Sequence, residues 1–386
     1  MAESTTTQSV SQQSLSQRME ELAALEPSQL PVISLYLSLS TDQNGREDYQ
    51  RFVRKVFAER AKALPEQSPE RESFDNDVKR IQEHLESMDA SASQALAIFA
   101  SSGSGLFEII PLDAPLAEHS LFISSVPHLY PLAMVAETYP RYAAVMLDTN
   151  KARIFVFGGE TEREKNIRGE KTRRTSKGGW SQARYQRRAD NFHLLHIKEV
   201  VDTLQRIVRD EDIQHVVVAG ADVAMPILRD QLPKDLTDKI VEIGPQEDGE
   251  TGSFLQRTMA ALREKDAETD VEKVQELMEA WKSGGLGVAG PEATLSAFQL
   301  GQVDELIITG SPDTLKPVQA LPEDAAPGDV QVSSSNPGGA PDARQLKLSD
   351  ELVTRAQQTA ARIRFIEDPS LLADVGGVGA LLRFRI

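Results

Sequence analysis

Cysteine is absent from the 386 residues. That excludes disulfides, thiolate metal sites and a cysteine nucleophile, and it fits a cytoplasmic protein. No run approaches the roughly 18 apolar residues of a membrane-spanning helix. The opening stretch, MAESTTTQSVSQQSLSQ, is polar and lacks the apolar centre of a secretion signal. Positive charge is scarce: 42 Lys and Arg stand against 59 Asp and Glu, a net charge of −17. An acidic surface repels phosphate, which argues against a general nucleic-acid binder.

What is present suits a folded chain. Hydrophobic residues make up 40% and charged residues 26%, enough for a sizeable core. The length predicts two or three domains. The cations are unevenly spread. Between Arg163 and Arg188 there are ten Lys or Arg and only two acids, Glu164 and Glu170, so this stretch is +8 and the rest of the chain −25. A basic island on an acidic body is either one element that touches RNA or an exposed, solvated loop.

The pattern along the chain is α/β, with strands alternating with helices in three expected domains. Residues 1–17, rich in Ser, Thr and Gln, read as a disordered tail. An N-terminal α/β domain is expected over 18–135. Its strands fall at 30–39, 94–100 and 105–111, and its helices at 47–64 and 69–88. A middle domain is expected over 136–268. It opens with a strand pair, 141–148 and 152–157, turning through Thr149, Asn150 and Lys151. A basic Gly-rich loop, 160–182, follows. A helix begins near Gln182, with an apolar face at Leu194, Ile197, Val201, Leu204 and Val208. Strands 215–219 and 239–243 then alternate with helices 223–232 and 254–264.

A third domain is expected over 269–386. It holds helices at 271–282 and 291–300 and a strand at 303–309. Residues 311–347, rich in Pro, Gly, Ser and Asp, read as a flexible insertion. Ser349 is expected to cap a helix to 361, with Asp350 and Glu351 at its positive end. Strands 362–367 and 380–386 close the chain.

Several constellations carry no chemistry on this reading. His193 and His196 are three apart on one helix, with no third ligand nearby, and read as a surface or interface pair; no metal is expected. GGVGAL near the end lacks the strand and helix of a dinucleotide loop, and no cofactor is expected. Asp148 ends a strand and reads as a hairpin residue. No G-x-S-x-G elbow is present.

Two motifs point to a family. Residues 290–301 (GPEATLSAFQLG) and 302–308 (QVDELII) follow the pattern G-x-x-x-T-L-x-A-x-x-x-G-x-V-x-x-L-I-I. Residues 376–384 (GGVGALLRF) follow a closing G-G-I-G-G-I-L-R-Y. Both resemble the C-terminal domain of the archaeal and eukaryotic class-I release factor and Pelota superfamily, of which this chain looks like a bacterial branch. The order of strands and helices over 140–244 is similar to the same family's middle domain. The resemblance implies a ribonuclease-H-like middle domain that reaches the peptidyl-transferase centre. It implies a C-terminal α/β sandwich, similar to proteins that bind RNA kink-turns, that engages a translational GTPase such as elongation factor Tu. The N-terminal domain would sit at the decoding centre.

The family's loop carries Gly-Gly-Gln, whose glutamine helps place a water against the peptidyl ester. Here Gly178 and Gly179 match, but Trp180 takes the glutamine's place and Gln182 lies two residues on. Either Gln182 serves as a displaced catalytic equivalent, or Trp180 stacks on a base, plugs the site or packs internally. Arg184, Arg187 and Arg188 share one side of the following helix, near Lys177. With Lys171, Arg173, Arg174, Gly178, Gly179 and Trp180 they form the expected RNA contact. The family's stop-codon signature Asn-Ile-Lys-Ser is missing, and nothing marks DQNGR at 42–46 as a codon reader. The resemblance therefore implies a codon-independent factor in the A site of stalled or idle ribosomes, acting in rescue or, like Balon-type factors, in hibernation under stress. Its partners would be ribosomal RNA, P-site tRNA and the GTPase. Two alternatives stay open: a peptidyl-tRNA hydrolase or release factor using Gln182, and an interaction module that no longer binds ribosomes.

Overall fold

A computed structural model describes residues 15–39, 49–89, 93–112, 114–116, 118–139, 142–149, 151–157, 163–168, 181–211, 213, 215–221, 223–245, 251–318, 330–333 and 343–385. The first elements are α1 (Leu15–Ala23), β1 (Val32–Ser38), α2 (Tyr49–Ala63), α3 (Pro69–Ser87), β2 (Ala95–Ser101), β3 (Leu106–Leu112), β4 (Ser120–Ser124) and α4 (Tyr130–Thr138). Next come β5 (Tyr142–Leu147), β6 (Lys151–Phe157), β7 (Arg163–Arg168), α5 (Ser181–Asp210), β8 (His215–Gly220), α6 (Ala224–Gln231), α7 (Lys234–Thr237) and β9 (Ile240–Pro245). The last are α8 (Thr251–Lys282), β10 (Gly287–Ala289), α9 (Pro291–Gln299), β11 (Val303–Thr309), β12 (Val330–Ser333), α10 (Ala343–Gln358), β13 (Arg362–Ile366) and β14 (Val378–Leu382). Among the described residues the fold is mixed α/β with three sheets.

These elements group into two compact units. One holds residues 1–111, 115–138 and 277–386; the other holds 112–114 and 139–276. The first unit contains two sheets, ordered β12-β4-β1-β2-β3 and β10-β14-β11-β13. Strand β1 is buried on both faces. On one face Ile33, Leu35 and Leu37 pack with Val53 and Phe57 of α2 and Phe74 and Ile81 of α3. Each such side chain contributes about 1.5–3 kcal/mol relative to exposure. Tyr36 points the other way. Its ring meets Phe99 and Phe122 edge-on, and its hydroxyl donates to the His128 carbonyl at 2.6 Å. Burial, then the nearby Asp350 carboxylate, holds that phenol well above its usual range.

Elements from the two ends of the chain meet inside this unit. Tyr130 of α4 donates its hydroxyl to the Thr309 carbonyl at 2.6 Å and sets its ring edge-on to Phe365. Arg364 of β13 pairs with Glu137 of α4 at 3.2 Å, both largely buried. Gln358 of α10 donates to the Ala23 carbonyl of α1 at 2.7 Å.

Several expectations need correction here. The insertion 311–347, expected as a disordered or extended loop, contains an edge strand, Val330–Ser333, antiparallel to β4 and in register from Val330 opposite Ile123 to Ser333 opposite Ser120. Ser333 also donates its hydroxyl to the Glu118 carboxylate. The tail expected over 1–17 overlaps α1, whose Met19, Leu22 and Ala23 are buried; residues 1–14 lie outside the described residues. The expected boundary at 268/269 falls within α8, one continuous helix rather than two. Ser349 does not start a helix: α10 begins at Ala343, and the Ser349 hydroxyl donates back to the Leu346 carbonyl. β4 and α4 were not anticipated.

The second unit is a five-stranded sheet in the order β7-β6-β5-β8-β9. β5, β8 and β9 run parallel, while β6 returns antiparallel to β5 and β7 antiparallel to β6. One face, with Val145, Ile154, Val216 and Val218, packs under α5 and α6. The opposite face buries Tyr142, Ala144, Met146, Phe155, Phe157, Val217 and Ala219. There the Tyr142 hydroxyl lies 3.3 Å from the Thr258 hydroxyl of α8.

Candidate nucleic-acid interface

The basic segment is rooted in this second sheet. Its base is the β5–β6 hairpin, closed by the Asp148 N–H donating to the Lys151 carbonyl at 2.7 Å. The Asp148 carboxylate accepts from the Thr149 N–H at 2.6 Å and from its hydroxyl at 3.2 Å. A short acid folding back on its own turn is the local chemistry that tight turns favour. Asp148 is therefore a hairpin residue.

The first part of the expected loop is a strand. β7 pairs along β6 from Val156 opposite Arg163 to Lys151 opposite Arg168, so six residues of the 160–182 stretch are hydrogen-bonded backbone. Alternating cations hid this strand, because only Ile167 supplies an apolar residue to the ladder.

Helix α5 takes up the chain at Ser181 and runs for 30 residues. Ile197, Val200, Val201, Leu204 and Val208 bury its sheet-facing stripe. At the 100° per residue of an α-helix, positions 184 and 188 lie about 145° and about 175° around the axis from the centre of that stripe, and position 187 about 85°. Gln182 occupies the second position of the helix. Lys171, Arg173, Arg174, Lys177, Gly178, Gly179 and Trp180 lie outside the described residues, as does DQNGR at 42–46.

His196, expected with His193 as a surface or interface pair, is buried on α5. It is 4% exposed, and both ring nitrogens lack a hydrogen-bond partner among the described residues. His193 is only partly buried. No cluster of three or more His, Asp or Glu that would hold a metal occurs among the described residues. No helix among them is long and apolar enough to cross a membrane.

Residues 127–264, which span the hairpin, the basic segment, α5 and the parallel strands, match the family described as Bacterial archaeo-eukaryotic release factor family 10. The match marks this region as similar to bacterial proteins related to archaeal and eukaryotic release factors. Among curated proteins, none matches the chain.

The chain is also similar to solved structures. The archaeal translation termination factor aRF1 shares 15% identity over 96% of this chain and 97% of its own, with a TM-score of 0.27. Ribosome-bound archaeal Pelota shares 12% identity over 96% and 94%, with a TM-score of 0.44. Dom34 of S. cerevisiae, a translation termination-like factor of RNA quality control that interacts with Hbs1, shares 11% identity over 78% and 82%, with a TM-score of 0.43.

Proposed function

We propose that this protein is a cytoplasmic ribosome-binding factor that enters the A site of stalled or idle ribosomes without reading a codon, in rescue or hibernation. The observation that carries the reading is the match of 127–264 to a release-factor family, because that region contains the one strongly basic stretch of an acidic chain. The loop between β7 and α5 would approach the peptidyl-transferase centre. Lys171, Arg173, Arg174, Lys177, Arg184, Arg187 and Arg188 would contact phosphate, with Gly178 and Gly179 allowing close approach and Trp180 stacking. In this reading the second unit plays the part of the ribonuclease-H-like domain. The C-terminal sheet plays that of the kink-turn-like sandwich, and would meet a translational GTPase such as elongation factor Tu.

Co-sedimentation tests this directly. The protein should travel with ribosomes at physiological salt and leave them at high salt, since phosphate contacts release counterions. Reversing Arg184, Arg187 and Arg188 to Glu should abolish association. No association of the wild type at physiological salt overturns the reading.

A hydrolytic role for Gln182 is the second reading. The start of α5 at Ser181 ties this residue's backbone to a rigid element, which suits a positioned amide. If Gln182→Ala leaves release of peptide from ribosome-bound peptidyl-tRNA unchanged, Gln182 has no catalytic part.

A further inference from the structure

Strands β10, β11 and β13 all begin at one end of the C-terminal sheet, where β14 finishes. The connections that gather there are tied to one another. The Leu382 N–H donates to the Leu286 carbonyl at 3.0 Å, and the Arg383 N–H to the Gln302 carbonyl at 2.8 Å. The Arg383 guanidinium donates to the Thr359 and Ala360 carbonyls at 3.2 and 3.1 Å. Arg385 donates to the Gly285 carbonyl at 3.2 Å, in the turn that leaves α8. Gly287 packs so closely on that helix end that a Cβ there would lie 2.8 Å from the Trp281 nitrogen.

Apolar side chains stand in the open at this end. Trp281 is 42% exposed, Leu286 46%, Leu300 56% and Phe384 46%. They are four of the eight large apolar side chains that are exposed among the described residues. Each comes from a different element: Trp281 from the last turn of α8, Leu286 from the approach to β10, Leu300 from the approach to β11 and Phe384 from the exit of β14. Neighbouring strands are about 4.8 Å apart, so the approaches to β10 and β11 flank β14 within roughly 10 Å. One exposed leucine is ordinary, whereas several apolar side chains gathered together mark surface that another molecule covers.

Charge indicates what kind of molecule that is. Residues 281–286, 300–305, 359–362 and 383–385 carry four cations, Lys282, Arg362, Arg383 and Arg385, against two carboxylates, Asp304 and Glu305, in a chain of net charge −17. Both carboxylates are engaged. Asp304 pairs with Arg362 at 2.8 Å and Arg383 at 3.5 Å, and Glu305 with Arg362 at 3.5 Å. The end of α8 offsets only about half a charge. Lys282 and Arg385 therefore leave the rim positive beside Trp281. A second copy of the chain fits poorly, because a two-fold contact sets these cations against themselves. A nucleic acid would meet the cations but gain little from Leu286 and Leu300. An acidic protein surface with its own apolar side chains satisfies both features.

We propose that this end of the C-terminal sheet is a docking surface for an acidic protein segment whose apolar side chains cover Trp281, Leu286, Leu300 and Phe384. Its carboxylates would face Lys282 and Arg385. The inference does not depend on ribosome binding, so either can fail without the other.

The test uses the full chain and a fluorescent amphipathic peptide with one leucine face and one glutamate face, with binding read by anisotropy. The acidic peptide should bind. The same peptide with lysine for glutamate, or with alanine for leucine, should bind about tenfold more weakly. Leu300→Ser with Phe384→Ser should weaken the acidic peptide about tenfold, and Lys282→Glu about threefold. Val223→Ser, at an exposed apolar position of the second unit, should change nothing. If the double serine variant unfolds, Lys282→Glu at its exposed position still decides, since unchanged binding overturns the inference. No binding of the acidic peptide to wild type, or equal binding to wild type and variants, overturns it as well. Self-association of the wild type that these variants abolish makes a second copy the occupant and overturns it. Tighter binding of an RNA oligonucleotide of equal charge, lost in the same variants, overturns it in favour of RNA.

Discussion

The Asp350 carboxylate lies 2.6 Å from the backbone nitrogen of Leu129 and accepts its hydrogen bond from inside helix α10. The same oxygen accepts from the Tyr130 N–H at 3.3 Å. These are the first amides of α4, which have no partner within their own helix. A side chain remote in sequence therefore caps α4. The His128 ring, stacked on Phe122 at 3.7 Å, completes the pocket with its Nδ1 3.4 Å from the carboxylate. Asp350→Ala removes the acceptor and leaves two buried N–H groups unpaired. The expected loss is about 2–4 kcal/mol by urea unfolding, with Asp350→Asn, which keeps an oxygen, losing less than half of that. An unchanged midpoint for the alanine variant would show that Asp350 is not the cap.

This cap shows what the sequence can and cannot say. The run Ser349-Asp350-Glu351 carries cap chemistry, and one residue of it does cap a helix, but the wrong helix was expected. Propensity identifies a residue able to accept from a helix start; it does not identify which helix arrives. Elements with their own periodicity, such as β1, α3, α9 and β11, were legible because their burial repeats locally. β12 was not, because four residues in a Pro- and Gly-rich stretch owe their strand form to the open edge of β4. β7 was not, because its alternation is one of charge rather than apolarity. At the candidate interface the cations of 163–188 were legible by count.

Asp77 should give the first unit a pH-dependent term. It is fully buried on α3 and accepts from the Ser102 N–H at 2.9 Å and the Ser102 hydroxyl at 2.5 Å. Burial raises its pKa above the usual 3.8, and the Ser102 hydrogen bonds only partly oppose this. The folded state thus holds the proton more tightly than the unfolded chain. The contribution of Asp77 to stability is complete below the unfolded value and declines as pH rises through the folded value. Asp77→Asn keeps an acceptor for Ser102 and cannot ionise. Its stability relative to wild type should rise as pH climbs above about 4 and then level off. Asp77→Ala should cost about 1–3 kcal/mol throughout, because Ser102 loses its acceptor. Parallel pH profiles for wild type and Asp77→Asn in thermal melts would remove Asp77 as the source.

His196 should be replaceable at a profit in stability. Its imidazole is 4% exposed on α5, and neither nitrogen has a hydrogen-bond partner among the described residues. Burying a polar group without compensation costs roughly 1–3 kcal/mol in proteins. Leucine fills similar space without that cost, so His196→Leu should raise stability by about 1 kcal/mol at neutral pH. Equal or lower stability, read by denaturant midpoint, would mean the imidazole is held by a contact that the leucine removes.

Gly379 should tolerate no side chain, and the reason is packing rather than ligand binding. It lies on β14 between Ile307 of β11 and Ala289 of β10. A Cβ built there would stand 2.6 Å from Leu277 Cδ2 at the end of α8 and 2.9 Å from the Val288 carbonyl oxygen. The neighbouring glycines of the same GGVG run meet a different demand: Gly376 and Gly377 sit at φ of 78° and 85°, in the left-handed region. Three glycines in four residues thus follow from two physical causes. Gly379→Ala should destabilise by about 1–3 kcal/mol through overpacking. Leu277 is fully buried, so shortening it is costly by itself, but Leu277→Val in the Gly379→Ala background should cost less than in wild type, because it relieves the clash. The backbone carbonyl cannot retreat in the same way, so the rescue should be partial. Strictly additive losses in that double-mutant cycle would show that Leu277 is not what excludes a methyl group from β14.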